Sequence, residues 1–134
     1  MINAIHVLFQ TGRFNLSKVG DHFINPCCFG EDVAAWLTTR LASKGVATAA
    51  AYHEDWGWEL PANRGVERYY LCIGGNSDDL PANPDQGEWR IIVEKRRSIW
   101  QRMKGAGKIS ADDEMVRVLE EILTEPDIRG LRRE

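Results

Sequence analysis

The spacing of apolar residues along the chain predicts two main helices. In residues 31–44 and again in residues 111–125, apolar side chains recur every three to four positions, which places them along one side of a helix. Pro126 ends the second helix, because the residue before a proline is kept out of the helical region. The repeating positions are Val33, Leu37 and Leu41 in the first helix and Met115, Leu119 and Ile122 in the second. Residues 97–104 have a shorter apolar side and predict a minor helix.

Alternation of apolar and polar residues predicts the strands. The segments with this pattern are residues 2–9, 13–19, 54–60, 66–73 and 88–95. The segment 66–73 carries apolar groups on both faces, which is typical of a strand in the centre of a sheet. Those groups are Val66, Tyr70 and Cys72 on one face and Tyr69, Leu71 and Ile73 on the other.

The connections between the later strands favour an antiparallel sheet. Residues 61–65 include a proline and a glycine, and we interpret them as a hairpin connection. Residues 74–87 are longer than a hairpin requires, which is typical of a functional or a mobile loop. The element order is then (ββ)αβββα. We therefore predict a single α+β domain over residues 1–134, with an antiparallel sheet of four to five strands and two main helices on one face.

The composition is that of an ordinary globular protein. Hydrophobic residues make up 43% of the chain and charged residues 28%, with a net charge of −3, which argues against disorder. The cysteine count of three is odd, so we expect reduced thiols and a cytoplasmic location. We interpret the apolar N-terminal run as a strand rather than a leader. No run reaches the roughly 18 apolar residues of a membrane span.

Acidic and basic residues are separated along the chain. Residues 54–88 hold eight acids against two arginines, whereas residues 90–108 hold seven bases against one acid. Such a separation either steers a partner or is neutralised by pairing within the fold. Although Trp100 lies in the basic run, the sequence pI near 5.6 argues against nucleic acid as the main partner.

One of the predicted strands combines aromatic and acidic residues. Trp56 and Trp58 share one of its faces, while Asp55 and Glu59 share the other. The tryptophans are either large core residues or an exposed platform that holds a ligand, and the core is favoured because aromatic side chains are more often packed than displayed. If they are core residues, Gly57 between them is a bulge or a close-packing site, and the carboxylate face becomes the candidate site.

A loop ahead of the first helix contains two adjacent thiols, Cys27 and Cys28. A helix N-terminus lowers the pKa of a nearby cysteine, which makes Cys27 a weak candidate for a catalytic thiol. Glu31 and Asp32 lie in the first turn of that helix and oppose a thiolate. The pattern therefore favours small buried apolar residues over a nucleophile.

A metal site has little support. Its candidate ligands are His22, Cys27, His53 and Asp55. No pair among them has the spacing of a zinc-binding motif, and Asp78 and Asp79 lack the alternating oxygen ligands of a calcium loop. We predict no metal and no cofactor.

An enzyme is the second hypothesis. Glu54 and Asp55 are a candidate general acid and base, and carboxylates beside aromatic residues are typical of glycoside hydrolysis. A two-layer domain of 134 residues leaves little depth for a cleft. The alternative function is therefore a small hydrolase that uses Glu54, Asp55 or the loop cysteine Cys27.

Two short motifs resemble those of a known set of proteins. Residues 25–32 have the sequence NPCCFGED and residues 54–58 the sequence EDWGW. This pair resembles uncharacterised bacterial proteins that carry the same motifs. The resemblance covers about residues 14–93 and implies membership of that set without an activity. In size and acidity the chain is also similar to immunity proteins that neutralise bacterial toxins.

We therefore predict a small cytoplasmic binding protein, with an immunity-type role as its most concrete form. We expect another protein or a small ligand as partner, no membrane association, and leave a homodimer open. Ligand contacts are predicted on the tryptophan strand and in the long acidic loop. These residues are His53, Glu54, Asp55, Trp56, Trp58, Glu59, Asp78 and Asp79.

Overall fold

The computed structural model describes residues 4–11, 30–54, 57–75, 88–96, 103 and 109–134. Within these residues the chain forms seven strands and two helices. The strands are β1 (Ala4–Gln10), β2 (Ala47–Thr48), β3 (Tyr52–Glu54), β4 (Gly57–Arg64), β5 (Glu67–Gly75), β6 (Glu88–Lys95) and β7 (Arg129–Arg133), and the helices are α1 (Glu31–Ser43) and α2 (Glu114–Ile122). The predicted strand at 13–19 lies outside the described residues, as does the predicted helix at 97–104 apart from Met103.

The seven described strands form one antiparallel sheet. Their order is β2–β4–β5–β6–β1–β7, and β3 pairs with β4 along the same edge as β2. The prediction of an α+β fold with an antiparallel sheet is confirmed. The predicted number of four to five strands is wrong, because β2, β3 and β7 are short edge strands. Their sequences show little alternation, and pairing with a neighbouring strand defines them instead.

Strands β2 and β3 are two parts of one edge, interrupted opposite a proline. Thr48 and Tyr52 on the edge are four residues apart, whereas their partners on β4, Ala62 and Glu59, are three residues apart. Pro61 of β4 faces this irregularity and has no N–H to donate to the edge. Its carbonyl accepts a hydrogen bond from the N–H of Ala49 at 3.0 Å. The proline therefore breaks the edge strand without breaking β4.

The hairpin turn lies later in the chain than the connection predicted at residues 61–65. β4 continues through Pro61, and the turn to β5 consists of Gly65 and Val66. Gly65 has a φ of 61°, the left-handed conformation that a two-residue hairpin turn requires. The last pair before the turn joins Arg64 and Glu67.

The core lies between the helices and one face of the sheet, which we call the inner face. Its buried sheet residues are Ile5, Val7 and Phe9 of β1, Trp58, Leu60 and Ala62 of β4, Tyr69, Leu71 and Ile73 of β5, and Trp89, Ile91 and Val93 of β6. Buried residues of α1 and α2 belong to the same cluster, whereas Leu8 and Cys72 do not. Both helices therefore pack on the inner face. The predicted alternation of β1 and β6 is confirmed. That of β5 is confirmed from Tyr69 to Ile73, whereas Val66 lies in the preceding turn and not in the strand.

Two glycines allow close approach at the start of β4. Gly57 has a φ of 154°, and a Cβ atom there would collide with the carbonyl oxygen of Ile73 on β5. Gly30, at the start of α1, lies against the side chains of Trp58 and Ile73. These contacts allow β4 to approach β5 closely and bring the beginning of α1 against the ring of Trp58.

Candidate functional site on the outer face of the sheet

A cavity of about 620 Å³ lies on the face of the sheet opposite the core, which we call the outer face. Strands β4, β5 and β6 contribute its described lining. The lining residues are Glu59, Cys72, Gly74, Gly75, Glu88, Trp89, Arg90, Ile92 and Glu94. A volume of this size lies within the range of small-molecule sites, which runs from about 300 to 1,000 Å³.

Cross-strand pairing places the central lining residues side by side. Glu59 pairs with Cys72, and Cys72 pairs with Ile92, so these three side chains form a row across the outer face. Glu94 lies two residues beyond Ile92 on β6, and its side chain therefore points to the same face. The row brings an apolar side chain, a thiol and a carboxylate together, with a second carboxylate beside them.

Cys72 is a neutral hydrogen-bond donor in this site. Its thiol lies 3.9 Å from Oε1 of Glu59 and donates to it. Burial raises the pKa of Cys72 to about 12, with further contributions from the carboxylates of Glu94, Glu59 and Glu54. Because the thiolate is the nucleophilic form of cysteine, Cys72 has the opposite properties to a catalytic thiol.

Glu59 is a carboxylate held in an unfavourable environment. Burial raises its pKa, the charge of Glu94 raises it further, and only the hydrogen bond from Cys72 lowers it. A like charge and a desolvated position both disfavour ionisation. A cation placed beside Glu59 would reverse this effect.

Arg90 is the basic side chain of the described lining, and other residues engage it. Its Nη1 atom donates to Nδ1 of His6 at 3.0 Å, and its Nη2 atom lies 3.4 Å from Oε1 of Glu134. Since an arginine only donates, Nδ1 of His6 is the acceptor in that bond. The guanidinium is therefore directed toward β1 and the end of β7.

The charge of the described lining is negative. It contains three glutamates and one arginine. Glu88 is paired with Arg132 at 3.2 Å. Among the residues that the structure describes, no basic side chain forms an ion pair with Glu59 or Glu94. Within the described lining, these two carboxylates are therefore the glutamates that lack a paired basic side chain.

A second polar cluster, on the inner face, has a structural role. Asp113 is the N-cap of α2 and accepts a hydrogen bond from the N–H of Met115 at 2.9 Å. The same carboxylate accepts from the hydroxyl of Tyr69 at 2.9 Å and pairs with Nζ of Lys95 at 3.2 Å. Burial, followed by the bond to Asp113, raises the pKa of Tyr69 well above its usual range. This cluster joins α2 to the sheet.

The predicted single strand over residues 54–60 is wrong, because Glu54 ends β3 and pairs with Gly57, the first residue of the antiparallel β4. Along β4, neighbouring residues point to opposite faces of the sheet. Trp58 is 6% exposed and belongs to the core, which is one of the two roles that its spacing leaves open. The ring of His53 stacks on it, with centroids 4.6 Å apart and planes 3° apart. Glu54 lies on the other face of β3 from His53. Glu59 lines the outer cavity, so the face of the strand that carries its carboxylate is the one with the site.

Several predicted residues lie outside the described part of the chain. These are His22, Cys27, Cys28, Asp55, Trp56, Asp78 and Asp79. Their suggested roles stay predictions. In the described ranges, no group of three metal-binding side chains is placed closely enough to hold an ion.

The site contains residues that the sequence does not single out, namely Cys72, Arg90, Ile92 and Glu94. Alternation correctly places Cys72 on the face opposite Leu71. It does not show that β5 lies between β4 and β6, and that arrangement brings Cys72 between Glu59 and Ile92. Alternation within one segment does not predict the order and register of the strands, and these determine which residues line the site.

Comparison with known proteins adds no identification: no family model, curated protein or solved structure matches the chain significantly. No helix in the described ranges is both long enough and apolar enough to cross a membrane.

Proposed function

We propose that this protein is a non-enzymatic binding protein that holds a small ligand on the outer face of its sheet. The observation that carries the proposal is the cavity of about 620 Å³ beside the row Glu59, Cys72 and Ile92. It combines an apolar contact surface with a few polar groups, the usual composition of a ligand site. The core lies on the opposite face, so a ligand can bind without disturbing it.

The chemistry of the lining favours binding over catalysis. A carboxylate with a raised pKa, such as Glu59, is common in ligand sites and in active sites. Hydrolysis also requires a nucleophile or a base next to the reacting bond. Near Glu59 the sheet provides the thiol of Cys72, whose pKa near 12 keeps it protonated, and the carboxylate of Glu94, to which the proposal gives a role in binding. A hydrolase that uses Glu54, Asp55 or Cys27 stays an untested alternative.

The dimensions of the site favour a small molecule over a protein partner. A stable protein interface buries about 800 Å² on each partner, over roughly 20 to 30 residues. The described lining of the cavity has nine residues. The toxin-neutralising role stays a prediction that rests on the size and composition of the chain.

The test is a fragment screen observed by protein NMR. We expect fragments to shift the amide resonances of Cys72, Ile92 and Gly74 more than those of the helices. The blocking variant is Ile92→Arg, which places a long charged side chain across the cavity. The matched control is Val66→Arg, because Val66 is 94% exposed in the β4–β5 turn.

We expect Ile92→Arg to abolish the shifts and Val66→Arg to preserve them. Both variants should keep the dispersed spectrum of the folded protein, because neither residue belongs to the core cluster. Fragment shifts that survive Ile92→Arg in a folded protein would contradict the proposal. Shifts confined to another surface would contradict it as well.

A further inference from the structure

Resting on the proposed function, we infer that the ligand is a small organic cation. Its amine or guanidinium group lies between Glu59 and Glu94, and its apolar body packs over Ile92 and Cys72. The inference depends on the geometry of the two carboxylates, on the groups that surround them and on the engagement of Arg90.

The two carboxylates flank the same part of the outer face. Glu59 is on β4 and Glu94 on β6, with β5 between them. Adjacent strands are about 4.8 Å apart and alternate residues about 6.8 Å apart, so the two Cα atoms are roughly 12 Å apart. Glutamate side chains on the same face can approach each other across this span. A single cationic group between them can contact both.

The surroundings of Glu59 disfavour its negative charge. Cys72 lies on the strand between the two carboxylates and experiences the fields of Glu94, Glu59 and Glu54. Glu59 in turn experiences Glu94. Among the described residues, neither Glu59 nor Glu94 has a basic partner. A ligand cation would relieve the repulsion and replace the missing partner.

The floor beside the carboxylates suits an apolar group. On β5, Cys72 is opposite Glu59 and Tyr70 is opposite Glu94, so the open part of the floor lies on the Gly74 side of Cys72. Ile92 is half-buried, and Cys72 is 9% exposed with a neutral thiol. Gly74, the next outer-face residue along β5, contributes no side chain and leaves space above the strand. A hydrocarbon or aromatic body can therefore contact the sheet while its charged end reaches the carboxylates.

An anionic ligand fits this site poorly. Arg90 would be its natural partner, but His6 and Glu134 already engage that guanidinium. An anion would also face the three glutamates of the described lining. The electrostatics therefore discriminate by the sign of the ligand charge.

The test compares three probes of similar shape: phenethylamine, phenethyl alcohol and 3-phenylpropionate. We expect phenethylamine to bind at the Cys72 and Ile92 resonances at least about tenfold more tightly than the alcohol, because a charge-assisted hydrogen bond is worth more than a neutral one. The carboxylate should bind most weakly. The same preference should weaken as salt is added.

Two variants localise the charge recognition. Glu59→Gln and Glu94→Gln each keep the size of the side chain, and each should weaken phenethylamine by about tenfold while changing the alcohol little. Glu121→Gln on α2 is the matched control, because that exposed carboxylate pairs with Lys44 far from the cavity. Glu94 is exposed, so its variant should fold even if the Glu59 variant does not.

The outcomes separate this inference from the proposed function. If the alcohol or the carboxylate binds the cavity as tightly as the amine, or if both glutamine variants retain full amine affinity, the cationic ligand is excluded and the binding site stands. If none of the three probes and no fragment shifts the cavity resonances, the proposed function itself fails.

Discussion

Trp58 and Glu59 are neighbours in the chain, yet they lie on opposite faces of the sheet and in opposite kinds of environment. Trp58 packs in the core against Gly30 and beneath His53. Glu59 lines the outer cavity, where burial and Glu94 raise the pKa of its carboxyl group. Because successive side chains of a strand point to opposite faces, two neighbouring residues lie in the core and in the outer cavity.

The carboxylates of Asp113 and Glu59 make the same contrast. Asp113, on the inner face, accepts hydrogen bonds from Tyr69 and Met115 and pairs with Lys95. Glu59, on the outer face, accepts from the thiol of Cys72 and experiences the like charge of Glu94. A carboxylate surrounded by donors contributes to folding, whereas one placed beside another acid costs stability. Binding sites commonly carry such a cost.

The largest expected effect is on the inner face, at Trp58. Trp58→Ala removes a large buried side chain and leaves a cavity beside Gly30 and Ile73, so we expect a loss of about 3–5 kcal/mol in the free energy of unfolding. Urea denaturation followed by circular dichroism measures it. The exposed Val66→Ala variant is the control and should change stability by less than about 0.5 kcal/mol. A similar small loss at Trp58 would show that the inner face is not packed around this ring.

The next effect is at Asp113. Asp113→Ala removes the N-cap of α2 and leaves the hydroxyl of Tyr69 and the ammonium of Lys95 without their shared acceptor, so we expect a loss of about 2–4 kcal/mol. Asp113→Asn keeps an acceptor for the cap and should lose less. Denaturant titration of the two variants compares them. Equal losses would mean that the charge of Asp113, not its capping, holds α2.

A smaller effect is expected at Tyr69. Tyr69→Phe removes one of the three donors to Asp113 and should cost about 1 kcal/mol. Combining it with Asp113→Ala gives a double-mutant cycle in the same denaturation assay. The two losses should not add, because both variants break the same hydrogen bond. Strict additivity would show that this bond contributes nothing to the inner-face cluster.

The smallest effect, and one of opposite sign, is expected at Glu59. Its folded-state pKa is raised above the unfolded value, so the folded protein holds this proton more tightly. The favourable contribution is complete below the unfolded pKa of about 4.3, and it is lost as the pH rises through the folded pKa of Glu59. Glu59→Gln mimics the protonated group, so the variant should be more stable than the original protein at pH 7, by less than about 1 kcal/mol.

Melting temperatures at pH 7 and near pH 3.5 test this sign. The gain at pH 7 should vanish at the acidic pH, where Glu59 is protonated in both folded and unfolded chains. Glu121→Gln should show no gain at pH 7, since its carboxylate pairs with Lys44. If Glu59→Gln destabilises the protein at pH 7, Glu59 is a structural carboxylate like Asp113, and the contrast between the two faces is lost.

Much of the local structure can be predicted from single segments. The strand at residues 88–95 coincides with β6, and the helix at 31–44 differs from α1 by one residue. The second helix is shorter than predicted at both ends. Asp113 caps it, so α2 begins at Glu114, and α2 ends at Ile122, before Pro126 can act on it. The edge strands and the end of the β4–β5 hairpin could not be predicted, since pairing with β4 and the break at Pro61 decide them.

The sequence by itself determined which residues share a face, because side chains alternate along a strand and repeat about every 3.6 residues along a helix. It therefore separated Trp58 from Glu59 and Leu71 from Cys72. Only the tertiary structure decided which face is covered by helices and which strands are neighbours. Those facts depend on contacts between residues far apart in the chain. They place Cys72 between Glu59 and Ile92, and with that they create the candidate site.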